Sequence, residues 1–185
     1  MAHNTIESGY HLLVKRLNYF PQGAPPSELL NEILKILFSE KEAELVSLLP
    51  IKPFTVKKAS FIWKMNPISA HKKLDDLAAR ALLVDIEHKG ESFYCLPPPM
   101  AGFFEFSLMR IRNDIDQKAL SELFYWYLNV EEDFIRALFV DGDTQLGRTF
   151  VHEPVLTNEN ALHVLDYERA SEVIKTSSHM AVGLC

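Results

Sequence analysis

The residues able to do chemistry in this chain are few and scattered. There are two cysteines, Cys95 and Cys185, and seven histidines. Cys95 sits inside the run "SFYCL", where a strand would bury a free thiol, and Cys185 is the last residue. Neither belongs to a Cys-x-x-Cys spacing, so the sequence offers no closed metal site and no disulfide framework. His71, His152, His163 and His179 fall on different predicted elements and none pairs at metal-ligand spacing. No nucleophile, base and orienting residue stand at a readable spacing, and no glycine-rich phosphate loop occurs. The carboxylates of "EED" at 131–133 read as charges favoured by a helix start. No catalytic activity is expected of these 185 residues.

The charged residues say more. The net charge is -6, yet residues 51–74 hold six lysines and no acid, so that window is +6 and the remainder -12. A basic island in an acidic chain calls for a local explanation. With 48% hydrophobic and 24% charged residues the composition is that of a globular protein. No apolar run reaches the roughly 18 residues of a membrane helix, and "MAHNTIESGYHLLVKRLNYF" lacks the apolar stretch and cleavage site of a secretory signal. A cytoplasmic location, without membrane attachment, is the resulting expectation.

The elements that must position these residues follow from periodicity and caps. A helix is predicted over about Ile6–Leu17, with Leu12, Leu13 and Leu17 needing burial, and "FPQGAPPS" follows as a linker or sharp turn. Ser27 caps a helix with the apolar face Leu29, Leu30, Ile33, Leu34 and Leu37. "SEKEAELVSLLP" carries a capping box, Ser39 with Glu42. Thr55 caps "TVKKASFIWK", whose apolar side is Val56, Ala59, Ile62 and Trp63. Asn66 and Pro67 start the next helix, with the stripe Leu74, Leu77, Ala78 and Ala81. "LLVDI" and "SFYCL" then read as strands joined through "EHKGE", where Gly90 supplies a positive φ.

Helices, a short helix–turn–helix and a hairpin make a winged helix. The fold class is α+β: an N-terminal helix and linker at 1–26, a winged helix at 27–99, and a mostly helical region at 100–185. The prolines of "PPPM" mark the boundary between the last two. Beyond it "AGFFEFSLMRIR", "DQKALSELFYWYL", "EEDFIRALF" and "DYERASEVIKTSS" read as helices, "LGRTFVHEPVL" as a strand or extended loop, and "HMAVGLC" as a buried strand. The aromatics at 103–106 and 124–127 are read chiefly as core, with an exposed face for another subunit as the alternative.

In DNA-binding versions of this motif the second helix enters the major groove. Its outward side here would carry Ser69, His71, Lys72, Lys73, Asp76 and Arg80, with Lys57 and Lys58 on the preceding helix and Lys89 at the hairpin tip. The same residues suit contact with a protein partner. Against DNA stand Asp75 and Asp76 on the helix itself, the absence of arginine from its N-terminal half, and Glu87 and Glu91 beside Lys89. Both partner classes stay open at this point, as does a homo-oligomer.

Two stretches carry a resemblance. "VLDYERASEVIKTSSHMAVGLC" and "LPPPMAGFFEFSLMRIR" resemble segments of a family of 4Fe-4S ferredoxin-type proteins that begin with a winged helix. The resemblance covers essentially all 185 residues, but only the family's N-terminal portion. In that family a short apolar strand ends in a cysteine opening a Cys-x-Cys-Arg motif, which further cysteine clusters follow. Cys185 matches that first cysteine, so the resemblance implies a cluster ligand at Cys185 in a longer chain only. A 4Fe-4S cluster takes four thiolates, so no cofactor is expected in these residues. What the resemblance implies is the non-cluster part of an electron-transfer or redox-responsive protein, with a redox or protein partner.

Overall fold

The computed structural model describes residues 7–109, 111–141 and 167–181. Among them it has a mixed architecture, mainly helical with one small antiparallel sheet. The chain falls into two compact units that divide between residues 146 and 147.

The first unit is built on capped helices. In α1, Gly9–Leu17, the Ser8 hydroxyl accepts from the His11 amide, and Leu13 and Leu17 are wholly buried. Ser27 caps α2, Glu28–Leu37, in the same way. The capping box of α3, Glu40–Ser47, is complete: the Ser39 hydroxyl takes the Glu42 amide and the Glu42 carboxylate takes the Ser39 amide. α1 lies against α3 so closely that a Cβ on Gly9 would come within 2.3 Å of the Glu40 carbonyl oxygen. Arg16 Nε donates to the Ser47 carbonyl at 2.6 Å and ties the same pair. The first helix is therefore part of the core, as the leucines at 13 and 17 required.

β1 is the dipeptide Phe54–Thr55, absent from the sequence reading because two residues carry no periodicity. α4, Val56–Trp63, starts on the Thr55 hydroxyl and ends with Lys64 in the left-handed region at φ 52°. There the Met65 amide reaches back to the Ser60 carbonyl and the Lys64 amide to Phe61, a Schellman-type ending made without glycine. The Ser60 hydroxyl closes the turn on the Met65 carbonyl at 2.7 Å, and the Trp63 indole donates to the Leu45 carbonyl at 2.8 Å, fixing α4 to α3. α5, Pro67–Ala79, has Asn66 as cap and proline in its first turn, and buries Ala70, Leu74, Leu77 and Ala78.

A hairpin follows, β2, Val84–His88, and β3, Glu91–Cys95. His88 pairs directly with Glu91, which leaves a two-residue turn of Lys89 and Gly90. Both have positive φ, 53° and 78°, the twist-matched turn that lets two strands meet without splaying. The turn is thus tighter than the "EHKGE" linker suggested. β1 pairs with β3, giving the order β1-β3-β2.

Beyond the triple proline, Pro99–Phe103 forms a non-helical turn, closed by the Phe103 amide on the Pro98 carbonyl at 3.1 Å, that leads into α6, Phe104–Met109. Ala101 is left-handed at φ 55°, and the Glu105 carboxylate accepts from the Ala101 and Gly102 amides. α7, Gln117–Asn129, is capped by Asp116 and packs on α2; α8, Glu132–Phe139, completes the unit. The triple proline, read as a boundary, lies within one core: Leu96 and Phe38 share it with Phe103, Phe104, Phe124, Tyr127 and Phe134. The Tyr127 hydroxyl donates to the Pro25 carbonyl at 2.9 Å, joining the second aromatic group to the first linker. Tyr125 and Trp126, in contrast, remain exposed on the far side of α7.

In the second unit the described element is α9, Tyr167–Thr176. The strand expected over "HMAVGLC" is not formed in its described part: His179, Met180 and Ala181 have no regular structure and are exposed. "LGRTFVHEPVL", the first residue of "DYERASEVIKTSS" (Asp166), and Cys185 lie outside the described residues.

Candidate docking interface

The face that α4, α5 and the hairpin present is set by what each helix buries. With Ala59 and Trp63 turned inward, α4 points Lys57, Lys58 and Phe61 outward, positions one turn apart on one side. With its apolar stripe inward, α5 exposes Pro67, Ile68, Ser69, His71 and Lys72 over its first turns. Lys89 sits exposed at the hairpin tip. Lys57, Pro67 and His71 line one open groove with Thr55, Gly90 and Glu91, so the hairpin tip and the starts of both helices converge. Ser69, Lys72, Lys73 and Asp76 line a second, smaller recess.

The eight candidate contact residues do not all share this face. Lys73 and Arg80 are drawn toward Glu42 on α3. Arg80 Nη2 donates to Glu42 Oε1 at 2.6 Å and to Asp76 Oδ2 at 2.9 Å, and Nη1 lies 3.4 Å from both Glu42 Oε2 and the Leu37 carbonyl. Lys73 Nζ adds a longer contact to Glu42 Oε1 at 3.3 Å. The Glu42 side chain is only 11% exposed. Burial by itself would raise its pKa, but the Ser39 amide and the Arg80 guanidinium outweigh that and hold it down at about 2. The two cations thus serve as counter-ions to a buried carboxylate. Lys57, Lys58, Ser69, His71, Lys72 and Lys89 remain at the surface.

Acidic groups are interleaved with those six. Asp75 accepts a short hydrogen bond from the buried Tyr94 hydroxyl and lies 3.5 Å from His71 Nε2. Burial first, then the Asp75 carboxylate, raises the Tyr94 pKa well above its ordinary value, so the phenol stays protonated and donates. Asp85, Glu87 and Glu91 lie exposed along the hairpin.

Sequence reasoning missed two features of this face. Phe61 is 79% exposed and Ile68 84%, large apolar side chains standing out among the lysines. For Phe61 the signal was available: it falls off the buried side formed by residues 56, 59, 62 and 63. Glu42 was read only as a cap; its second role, binding cations from a helix 31 and 38 residues away, has no local trace.

No group of three or more metal-binding side chains occurs among the described residues. Cys95 is half-buried, its Sγ against the Ile51 and Leu96 carbonyls, and burial raises its pKa away from the thiolate a metal needs. No helix among the described residues is long and apolar enough to cross a membrane. The chain matches no protein-family model, no curated protein and no solved structure.

Proposed function

We propose that residues 27–99 form a winged helix acting as the docking or regulatory module of a 4Fe-4S ferredoxin-type protein, of which this chain is the non-cluster N-terminal part. The role of the complete protein is electron transfer or redox response. What supports the winged-helix assignment is the succession of α3, β1, α4, α5 and the hairpin, with a sheet ordered β1-β3-β2. The iron–sulfur part rests on the resemblance of the stretches ending at Arg112 and Cys185. The described residues do not supply a cluster's thiolates, so no step is assigned to a cluster here, and no catalysis is assigned to the chain.

The observation that favours docking over reading DNA is the division of the basic residues. Arg80, at the C-terminal end of the second helix of the motif, and Lys73 are bound to Glu42. The outward surface that remains mixes lysines with Asp75, Asp76 and the hairpin acids. A groove-reading helix places arginines and amides against base edges and cations against phosphates. The alternative, a winged-helix transcriptional regulator, rests on the lysines alone.

Two experiments decide. A mobility-shift titration with duplex DNA should give no tight binding at physiological salt; retarded complexes whose affinity falls steeply with salt and vanishes on Lys57→Glu with Lys72→Glu, both surface residues, would establish the regulator instead. A longer chain continuing past Cys185 should be brown and bind iron. A natural reading frame ending at Cys185 would sink the ferredoxin reading.

A further inference from the structure

The outward face of α4 and the start of α5 join two features that rarely coincide on a solvated surface. One is positive charge: Lys57, Lys58, Lys64 and Lys72 are all exposed, and no acid occurs anywhere between residues 51 and 74. The other is apolar area. Phe61 stands within four residues of Lys57, Lys58 and Lys64 on α4, and Ile68 one helical turn before Lys72 on α5. Both lie close in sequence to the turn at Lys64–Asn66. Single exposed apolar residues are ordinary. A Phe and an Ile that are 79% and 84% exposed, both within one all-basic window, form a candidate pair of anchors.

We infer that Phe61 and Ile68, framed by Lys57, Lys58, Lys64 and Lys72, dock an acidic protein segment that carries its own apolar side chains. This rests on the docking reading above and names the partner's chemistry. Charge complementarity selects the partner class: four exposed lysines outnumber the acids beside them, Asp76 next to Lys72 and Glu91 next to Lys57, and a net positive face favours a carboxylate-rich surface and speeds its approach. The two apolar side chains favour a protein segment over the phosphate exterior of a duplex. A phosphate backbone offers them nothing to pack on, whereas an acidic segment with leucine or aromatic side chains removes both from water at the centre of the contact. The lysines would stand at the rim, where charge governs association rate and salt response.

The test uses the full 185-residue chain and a labelled peptide of glutamates and leucines, followed by fluorescence anisotropy at low and physiological salt. The control peptide has glutamine at every leucine. We expect the leucine peptide to bind, the control to bind at least about tenfold more weakly, and Phe61→Ser with Ile68→Ser to cost a similar factor. Both side chains being exposed, the double variant should melt like the parent, which a circular-dichroism melt checks. Equal binding of the two peptides, unchanged affinity in the double variant, or no binding of the leucine peptide would overturn the inference while leaving the docking reading in place. Displacement of the peptide by duplex DNA would overturn the docking reading itself. Self-association that the double variant abolishes would make a second copy of the chain the occupant, and the inference would fall.

Discussion

Replacing Glu42 with glutamine tests the electrostatic core of this unit. Glutamine keeps the length and an acceptor for the Ser39 amide, but removes the charge that Arg80 and Lys73 neutralise. The carboxyl titrates at 4.5 ordinarily and at about 2 here. That difference corresponds to ~3 kcal/mol of stability from ionisation alone. Its sign follows from the direction: a depressed carboxyl pKa stabilises the fold above pH 4.5, and the contribution is lost as the pH falls from 4.5 toward 2. Glu42→Gln should therefore lose about 2–3 kcal/mol at neutral pH, because Arg80 keeps Asp76 and is not left wholly unpaired.

The assay is urea denaturation at a series of pH values from 7 down to the acid limit of folding. With a slope of about 1–3 kcal/mol per molar urea, the midpoint of Glu42→Gln should fall by roughly 0.7–3 M at neutral pH. The gap between parent and variant should close through the window between pH 4.5 and 2. Other carboxylates titrate there too, Asp114 among them through its hydrogen bond with Arg112, but they are common to both proteins and cancel in the difference. Parallel stability curves for parent and variant across that window would refute the assignment of Glu42 as the buried counter-ion.

Three further substitutions test the fold. Gly9→Ala places a methyl against the Glu40 carbonyl and Glu44 amide, both backbone atoms, and should cost about 1–3 kcal/mol by forcing α1 from α3; an unchanged melting temperature would contradict that close approach. Tyr127→Phe removes the bond to the Pro25 carbonyl and should cost about 1 kcal/mol, read by urea denaturation, with no loss meaning that the linker is not held there. Lys64→Gly relieves a left-handed backbone at φ 52° and should raise stability by about 0.5–1 kcal/mol; a loss would count against the Schellman-type ending.

Caps and stripes carried most of the first unit in the sequence. Ser27, Ser39, Thr55, Asn66 and Asp116 each have a short side chain ahead of an apolar helical stripe, and each starts a helix through its own oxygen. Such signals are local, so a sequence displays them. β1 was hidden because it exists only by pairing with β3, some forty residues later. The turn at Lys89–Gly90 was half visible: Gly90 announces a positive φ, but Lys89 adopts one too, held by strand pairing rather than by its own preference. The triple proline suggested a break, yet Phe103 and Phe104 follow it into the same core, because proline stiffens a chain without deciding what packs on either side. Of the candidate face, the sequence displayed the lysines and concealed their allocation.

That allocation is what separates the two partner classes in physical terms. A basic window of six lysines suggests a polyanion when counted along the chain. In three dimensions Lys73 reaches Glu42 on α3, and the Ser39 amide with Arg80 outweighs the desolvation of that carboxylate, which is 11% exposed. The helix that would enter a groove is left with Pro67, Ile68, Ser69, His71 and Lys72 outward over its first turns, with no arginine or amide among them for a bidentate contact to a base edge. Asp75 is committed to the fold, because its carboxylate accepts the Tyr94 hydroxyl and ties α5 to β3. The acids on this face therefore belong to the fold, and a partner has to accept them. On the docking reading proposed above, a protein surface meets both features, with apolar side chains against Phe61 and Ile68 and carboxylates against the lysines, whereas a line of phosphates meets the lysines alone.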